Sequence, residues 1–278
     1  MTVLKMSGAG NDFAVVDVRG EQVDLEILSR NLCKKLGTDG FLAVDISKIA
    51  DFKLHFYNSD GSRGEMCGNG ARCVCKFAFD HGIAGESMTV ETDAGIVYGW
   101  RLSDNHYRIR LNNPGMVDLQ RLPDTAYVEL GNPGVPHSVT VCSSLEWTEK
   151  DRLKADFLKI RHDPAFPKGV NVNFYCPMSE SSVRILTFER GVEDFTLACG
   201  TGSASVAVVL WLQGKLPGNR LIVENPGGTL EISVEGENGQ IDALYLEGPA
   251  EVHGQYEMQS ANLFWRKTDE EKTMLRKI

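Results

Sequence analysis

The chain has no long hydrophobic run. Its longest apolar stretch, residues 206–212, is too short to span a bilayer, and residues 1–13 hold no apolar core of a secretory signal. It has no excess of positive charge: 29 Lys and Arg stand against 38 Asp and Glu, for a net charge of −9. A broad nucleic-acid surface needs a basic patch, so that partner class is excluded. It has no disulfide framework either. Seven cysteines is an odd number, their spacing is irregular, and with no export signal they read as thiols in a reducing cytoplasm. The Cys67, Cys73 and Cys75 spacing matches no usual zinc or iron–sulfur site. Gly68-Asn69-Gly70 and Gly200-Thr201-Gly202 do not extend to a dinucleotide fingerprint, and no segment resembles a pyridoxal phosphate lysine site. The expectation is chemistry on a small molecule with no cofactor and no metal.

What is present is a repetition. Cys67-Gly68-Asn69-Gly70-Ala71-Arg72 and Cys199-Gly200-Thr201-Gly202-Ser203-Ala204 each place a cysteine one step before a glycine-rich turn that opens a helix. The likeness runs outward. An apolar strand-like run ends at Asn58, nine residues before Cys67; another ends at Glu189-Arg190, with Arg190 nine residues before Cys199. Downstream, Met88-Thr89-Val90-Glu91-Thr92 echoes Leu221-Ile222-Val223-Glu224-Asn225, and upstream Gly10-Asn11-Asp12-Phe13 echoes Asn171-Val172-Asn173-Phe174. Order-preserving self-similarity of this length reports a duplicated structural unit.

Each half reads as strands, one helix after the cysteine, then strands. The first helix, about residues 69–81, stops at Gly82. The second, about residues 201–213, is apolar nearly all round, so it is expected to be buried on every side. The fold class is α/β (α+β): two pseudo-symmetric domains, each a curved mixed and antiparallel sheet wrapped around a central helix. The expected domains are 1–116, joined by a C-terminal segment from about 250, and 117–249. The tail 260–278 stands apart, with a charged helix start at Thr268-Asp269-Glu270-Glu271-Lys272.

A thiol at a helix N-terminus is expected to have its pKa lowered, which makes it a usable base. Two such thiols suggest an acid and a base serving opposite faces of one carbon. Removing an α-proton from an amino acid also requires donors for the developing charge, and the free N–H groups of two helix N-termini supply them. Arg190 can grip a carboxylate bidentately, Glu189 can bind substrate by accepting from an ammonium and can bias the neighbouring thiol, and Asn11, Asn58 and Asn171 offer uncharged amides. Cys33, Cys73, Cys75, Cys142 and Cys176 read as inert. The bare pattern leaves open a thiol switch that bridges Cys67 and Cys199, and a binding protein without turnover.

The motifs together resemble the diaminopimelate epimerase family. They are Gly8-Ala9-Gly10-Asn11-Asp12-Phe13, Asn58-Ser59-Asp60-Gly61-Ser62, Met66-Cys67-Gly68-Asn69-Gly70-Ala71-Arg72-Cys73, Gly169-Val170-Asn171, Glu189-Arg190-Gly191, Ala198-Cys199-Gly200-Thr201-Gly202 and Pro226-Gly227-Gly228, in family order from about residue 4 to 252. The resemblance implies cofactor-independent interconversion of LL- and meso-2,6-diaminopimelate for lysine and peptidoglycan synthesis, in the cleft between two domains, and a homodimer. It implies Cys67 and Cys199 as the acid/base thiols. Backbone amides at Gly68, Asn69, Gly200 and Thr201 would meet the α-carboxylate. Asn11, Asn58, Asn171 and Arg190 would hold the distal end, and Glu189 and His137 would tune the thiols. Val135 departs from the pattern, standing where many members carry asparagine, and Phe195 stands where an acidic residue is expected.

Overall fold

The computed structural model describes residues 1–64 and 66–258. The chain divides into two compact units: Met1–Ile109 with residues 249–258, and Arg110–Gly248. The 260–278 tail and its helix start lie outside the described residues.

The first unit opens with the antiparallel hairpin Thr2–Gly8 and Asn11–Asp17. Its turn bends through Ala9 and Gly10, both at positive φ (56° and 84°). Helix α1 (Leu25–Leu36) then carries the chain to Gly40–Asp45, parallel to Asn11–Asp17. Phe52–Asn58 runs antiparallel to Gly40–Asp45 and is followed by the short strand Arg63–Gly64. Helix α2 (Gly68–Asp80) crosses over to Ser87–Thr92, parallel to Phe52–Asn58. Gly95–Ser103 and His106–Leu111 extend the sheet as a meander, and Glu251–Glu257 pairs with Thr2–Gly8.

The second unit repeats this order and these senses. Thr125–Gly131 and Gly134–Val141 form the hairpin, with Pro114–Leu122 beside Thr125–Gly131. Helix α3 (Lys150–Arg161) precedes Asn171–Ser179, which lies parallel to Gly134–Val141. Ser182–Glu189 follows antiparallel, then Asp194–Thr196. Helix α4 (Gly200–Leu212) crosses to Arg220–Asn225, parallel to Ser182–Glu189. Gly228–Glu237 and Gln240–Pro249 complete the meander.

Each central helix packs on the strands of its own unit. In α4 every residue from Gly202 to Leu210 is buried, as the all-round apolar sequence requires. Each of its valines and Leu210 contributes roughly 1.5–3 kcal/mol of burial, which anchors the turn holding Cys199.

The pairing corrects two expectations. Each half carries a second helix, α1 or α3, between the two parallel strands. Asp24 caps α1 by accepting from Ile27 N, and Gly37 ends it in the left-handed conformation. The echo of Gly10-Asn11 in Asn171 is also out of register. Asn11 opens the strand whose counterpart is Gly134–Val141, whereas Asn171 opens the counterpart of Gly40–Asp45. Strands with alike sequence here occupy different places in the repeat. Pro114–Leu122 is a continuous strand of the second unit, and the division falls earlier, at Ile109 and Arg110.

Candidate active site

In the first unit, Cys67 is the extended residue before α2 (φ −132°, ψ 123°), and its carbonyl accepts the first helical bond from Ala71 N at 2.8 Å. A β-carbon at Gly8 would lie 2.7 Å from the Asn69 carbonyl oxygen, so the hairpin end presses directly on the first turn of α2. Asn69 is buried, and its Nδ2 donates to Asn11 Oδ1 at 2.7 Å. Behind it Arg72, fully buried, donates to Asn69 Oδ1 at 3.1 Å, to Gly68 O at 3.4 Å and to Pro249 O at 3.3 Å. Burial lowers its pKa to about 10, so it is still a cation at neutral pH, close behind the Cys67 turn. Asp39 joins the same edge: its carboxylate accepts from Asp12 N at 2.9 Å and from Asn11 Nδ2 at 3.4 Å. Asn58 is exposed and in register with Gly40. Its side chain donates to Ser62 Oγ at 2.9 Å across a turn.

In the second unit, Cys199 occupies the same place before α4. Its Sγ accepts from Gly202 N at 3.4 Å and lies 3.5 Å from Thr201 Oγ1. The expected depression of this thiol's pKa is not what the site produces. Burial pushes Cys199 well above the ordinary thiol value, and the Glu189 carboxylate pushes it further. The Thr201 and Gly202 donors pull the other way without offsetting this. Cys199 is therefore favoured as a protonated thiol at neutral pH. Glu189 itself accepts from Thr196 Oγ1 at 2.8 Å.

Asn171 and Arg190 are brought together: Arg190 N donates to Asn171 Oδ1 at 2.8 Å, and Arg190 Nη1 donates to Lys168 O at 2.7 Å. His137 is fully buried beside Asn171 in the parallel register. Burial, then the Arg190 charge, lowers its pKa to about 3, so the ring is neutral. Val135 is half exposed on the same strand. Phe195 packs edge-on against Phe157 and Phe188 (5.0 and 5.4 Å between centroids), which explains an aromatic where an acid was expected. Sequence reasoning missed Arg72, Asp39 and Asn173. Arg72 stood inside a quoted motif, and a charged residue amid a buried helix face was the available signal. A groove of about 540 Å³ in this unit, lined in part by Arg121, Tyr175, Val209 and Lys215, lies at the far end of α4 from Cys199.

A duplicated α/β unit carries a cysteine before the central helix of each copy, and the relatives of this chain are isomerases of the epimerase class. The family model described as diaminopimelate epimerase matches residues 3–113 and 130–253. A diaminopimelate epimerase of Aquifex aeolicus is 36% identical over 233 residues, covering 77% of this chain and 82% of that protein. One from Methanothrix thermoacetophila is 37% identical over 268 residues, covering 89% and 92%. The chain belongs to the diaminopimelate epimerase family. Its fold is also that of a Bacillus anthracis phenazine biosynthesis protein of the PhzF family (TM-score 0.71, 15% identity, 93% of this chain and 99% of that one). It is shared as well with a hydroxyproline epimerase from Agrobacterium vitis (TM-score 0.67, 16% identity, 93% and 90%). Among the described residues no helix is long and apolar enough to cross a membrane.

Proposed function

We propose that the chain interconverts LL- and meso-2,6-diaminopimelate in the cytoplasm, for lysine and peptidoglycan synthesis, with Cys67 and Cys199 as the acid and base and with no cofactor or metal. The observation that carries this is the equivalent placement of the two cysteines at the N-termini of α2 and α4. In this proposal one substrate engages both helix ends. The backbone amides of Gly68, Asn69, Gly200 and Thr201 hold the α-carboxylate as charge moves into it. One thiolate removes the α-proton while the other thiol delivers a proton to the opposite face, which inverts the centre. The roles exchange in the reverse direction.

Glu189 fits the acid role of Cys199, since its charge adds to the burial that raises that thiol's pKa. Arg190 holds the distal carboxylate, and Asn11, Asn58 and Asn171 supply amides around it. His137 tunes a thiol as a neutral ring. A homodimer is the assembly proposed.

Turnover of LL substrate in deuterated water tests this. The meso product gains one deuterium at the inverted α-carbon, while recovered substrate stays largely unlabelled in the early phase. Rapid substrate labelling without inversion, or intact turnover by Cys199→Ala, would overturn the two-thiol scheme.

A further inference from the structure

The two units differ at a buried place on their sheets. In the first, Phe13, Leu42 and Phe56 form an apolar layer on three adjacent strands, with Phe13 and Phe56 edge to face at 6.4 Å. The equivalent register in the second unit holds His137, Asn173 and Thr187. The correspondence is fixed at the helix as well. A β-carbon at Gly70 of α2 would meet Leu42 Cδ2 at 3.1 Å, and one at Gly202 of α4 would meet Asn173 Oδ1 at 2.2 Å. Where one copy of the scaffold has three apolar side chains, the other therefore has three polar ones, all at most 2% exposed. Burying polar groups is costly unless each is bonded, so a role beyond packing is implied.

The bonds determine which way each group faces. Asn173 Nδ2 lies 2.8 Å from Ser138 O and 3.3 Å from Asn171 O. Two carbonyl acceptors require the amide nitrogen there and not the amide oxygen. Asn173 Oδ1 accepts from Thr187 Oγ1 at 2.9 Å, which completes the orientation. The same Nδ2 sits 3.2 Å from His137 Nδ1. An amide nitrogen cannot accept from an Nδ1–H, and its two N–H groups are shared among Ser138 O, Asn171 O and His137 Nδ1, so Nδ1 is the acceptor and the single proton of a neutral ring resides on Nε2. That Nε2 is buried and has no hydrogen-bond partner among the described residues.

We propose that Asn173, oriented by Thr187, is a positioning residue that locks His137 as the Nε2–H tautomer, so that His137 acts in the proposed epimerisation as a hydrogen-bond donor to an anionic group and not as a base. The proposal rests on the epimerase reading for its role, not for its tautomer. Leaving a buried donor unsatisfied is costly. An anionic oxygen or sulfur arriving there recovers that cost, whereas a base would need the opposite tautomer.

The test is ¹⁵N NMR of histidine-labelled full-length protein, with the His137 ring assigned by its loss in His137→Gln. The expected spectrum shows Nε2 as the protonated, pyrrole-type nitrogen and Nδ1 as the pyridine-type one. The reverse assignment, or a doubly protonated ring at pH 7, overturns the lock. Asn173→Asp, the isosteric variant that replaces the donor with a carboxylate, is expected to move the proton to Nδ1 and lower kcat at least tenfold with KM changed less than threefold. Asn173→Asp that shifts the tautomer but leaves kcat intact overturns the donor role. If the wild type shows the Nε2–H form but does not turn over diaminopimelate, the substrate reading fails and the tautomer lock stands.

Discussion

Gly202 of α4 and Asn173 of the strand beneath it are in direct contact: any side chain at Gly202 would begin 2.2 Å from Asn173 Oδ1. That oxygen cannot swing aside, because Asn173 is held by Thr187, Ser138, Asn171 and His137. Gly202→Ala is therefore expected to destabilise the protein by about 1–3 kcal/mol, the usual cost of overpacking. Gly70→Ala should cost less, since Leu42 Cδ2 lies 3.1 Å away on a side chain that can rotate. Urea denaturation of both variants measures the difference. Equal losses would mean that the Asn173 network is not rigid.

Glu189 adds to the effect of burial on Cys199. Its carboxylate and the burial of the site both raise that thiol's pKa, so removing the charge lowers it. In Glu189→Gln, alkylation of Cys199 by iodoacetamide should extend to lower pH, with the thiolate fraction rising about tenfold for each unit that the pKa falls. Peptide mass spectrometry resolves Cys199 from the other six cysteines. Turnover should fall in the same variant. An alkylation profile that stays put would remove Glu189 from this role.

The duplication, the two cysteines and both central helices are legible in the sequence because the signals are local. A Cys-Gly-X-Gly turn opens a helix, and an apolar run after it needs burial. The helices α1 and α3 were passed over for different reasons. In α1 the capping signals were present in Asp24 and Gly37. In α3 only Phe157 is buried, so the apolar face that marks a helix is nearly absent. Asn173 lay hidden because its meaning depends on which strand faces it, and His137 and Asn173 meet through parallel pairing across a long connection. The raised pKa of Cys199 was hidden for a related reason. A helix end is visible in sequence, but the burial and the Glu189 charge that outweigh it belong to tertiary structure.

Among the described residues Arg72 is the largest fully buried side chain, and it is positioned behind the Cys67 turn. It is still charged at neutral pH, with Gly68 O, Asn69 Oδ1 and Pro249 O as acceptors. Arg72→Ala opens a cavity and strips these acceptors, and the expected loss is about 3–5 kcal/mol. Arg72→Met refills the volume but leaves the acceptors unpaired, so about 1–3 kcal/mol should remain. Denaturation midpoints should rank wild type above Met and Met above Ala. Wild-type stability in Arg72→Met would mean that the bonds contribute nothing net.

His137 should also leave a signature in acid stability. Burial and the Arg190 charge hold its pKa near 3, below the ordinary 6.5, so the folded state keeps the ring neutral where the unfolded chain binds a proton. A group with a depressed folded pKa penalises the folded state as pH falls below the unfolded value. Between pH 6.5 and 3 the protein should therefore lose about 1.4 kcal/mol per pH unit through this one residue, and nothing through it above pH 7. His137→Phe restores the side chain that the first unit carries at the equivalent place, Phe13. Asn173 Nδ2 keeps Ser138 O and Asn171 O as acceptors in that variant. Its stability at pH 7 should stay within about 1.5 kcal/mol of wild type. Its stability should fall with acid by about 1.4 kcal/mol per pH unit less than wild type does. Urea unfolding at pH 4, 5, 6 and 7 reads both slopes. Parallel slopes would mean that His137 takes up a proton in the folded protein, which a neutral ring facing the Asn173 donor does not allow.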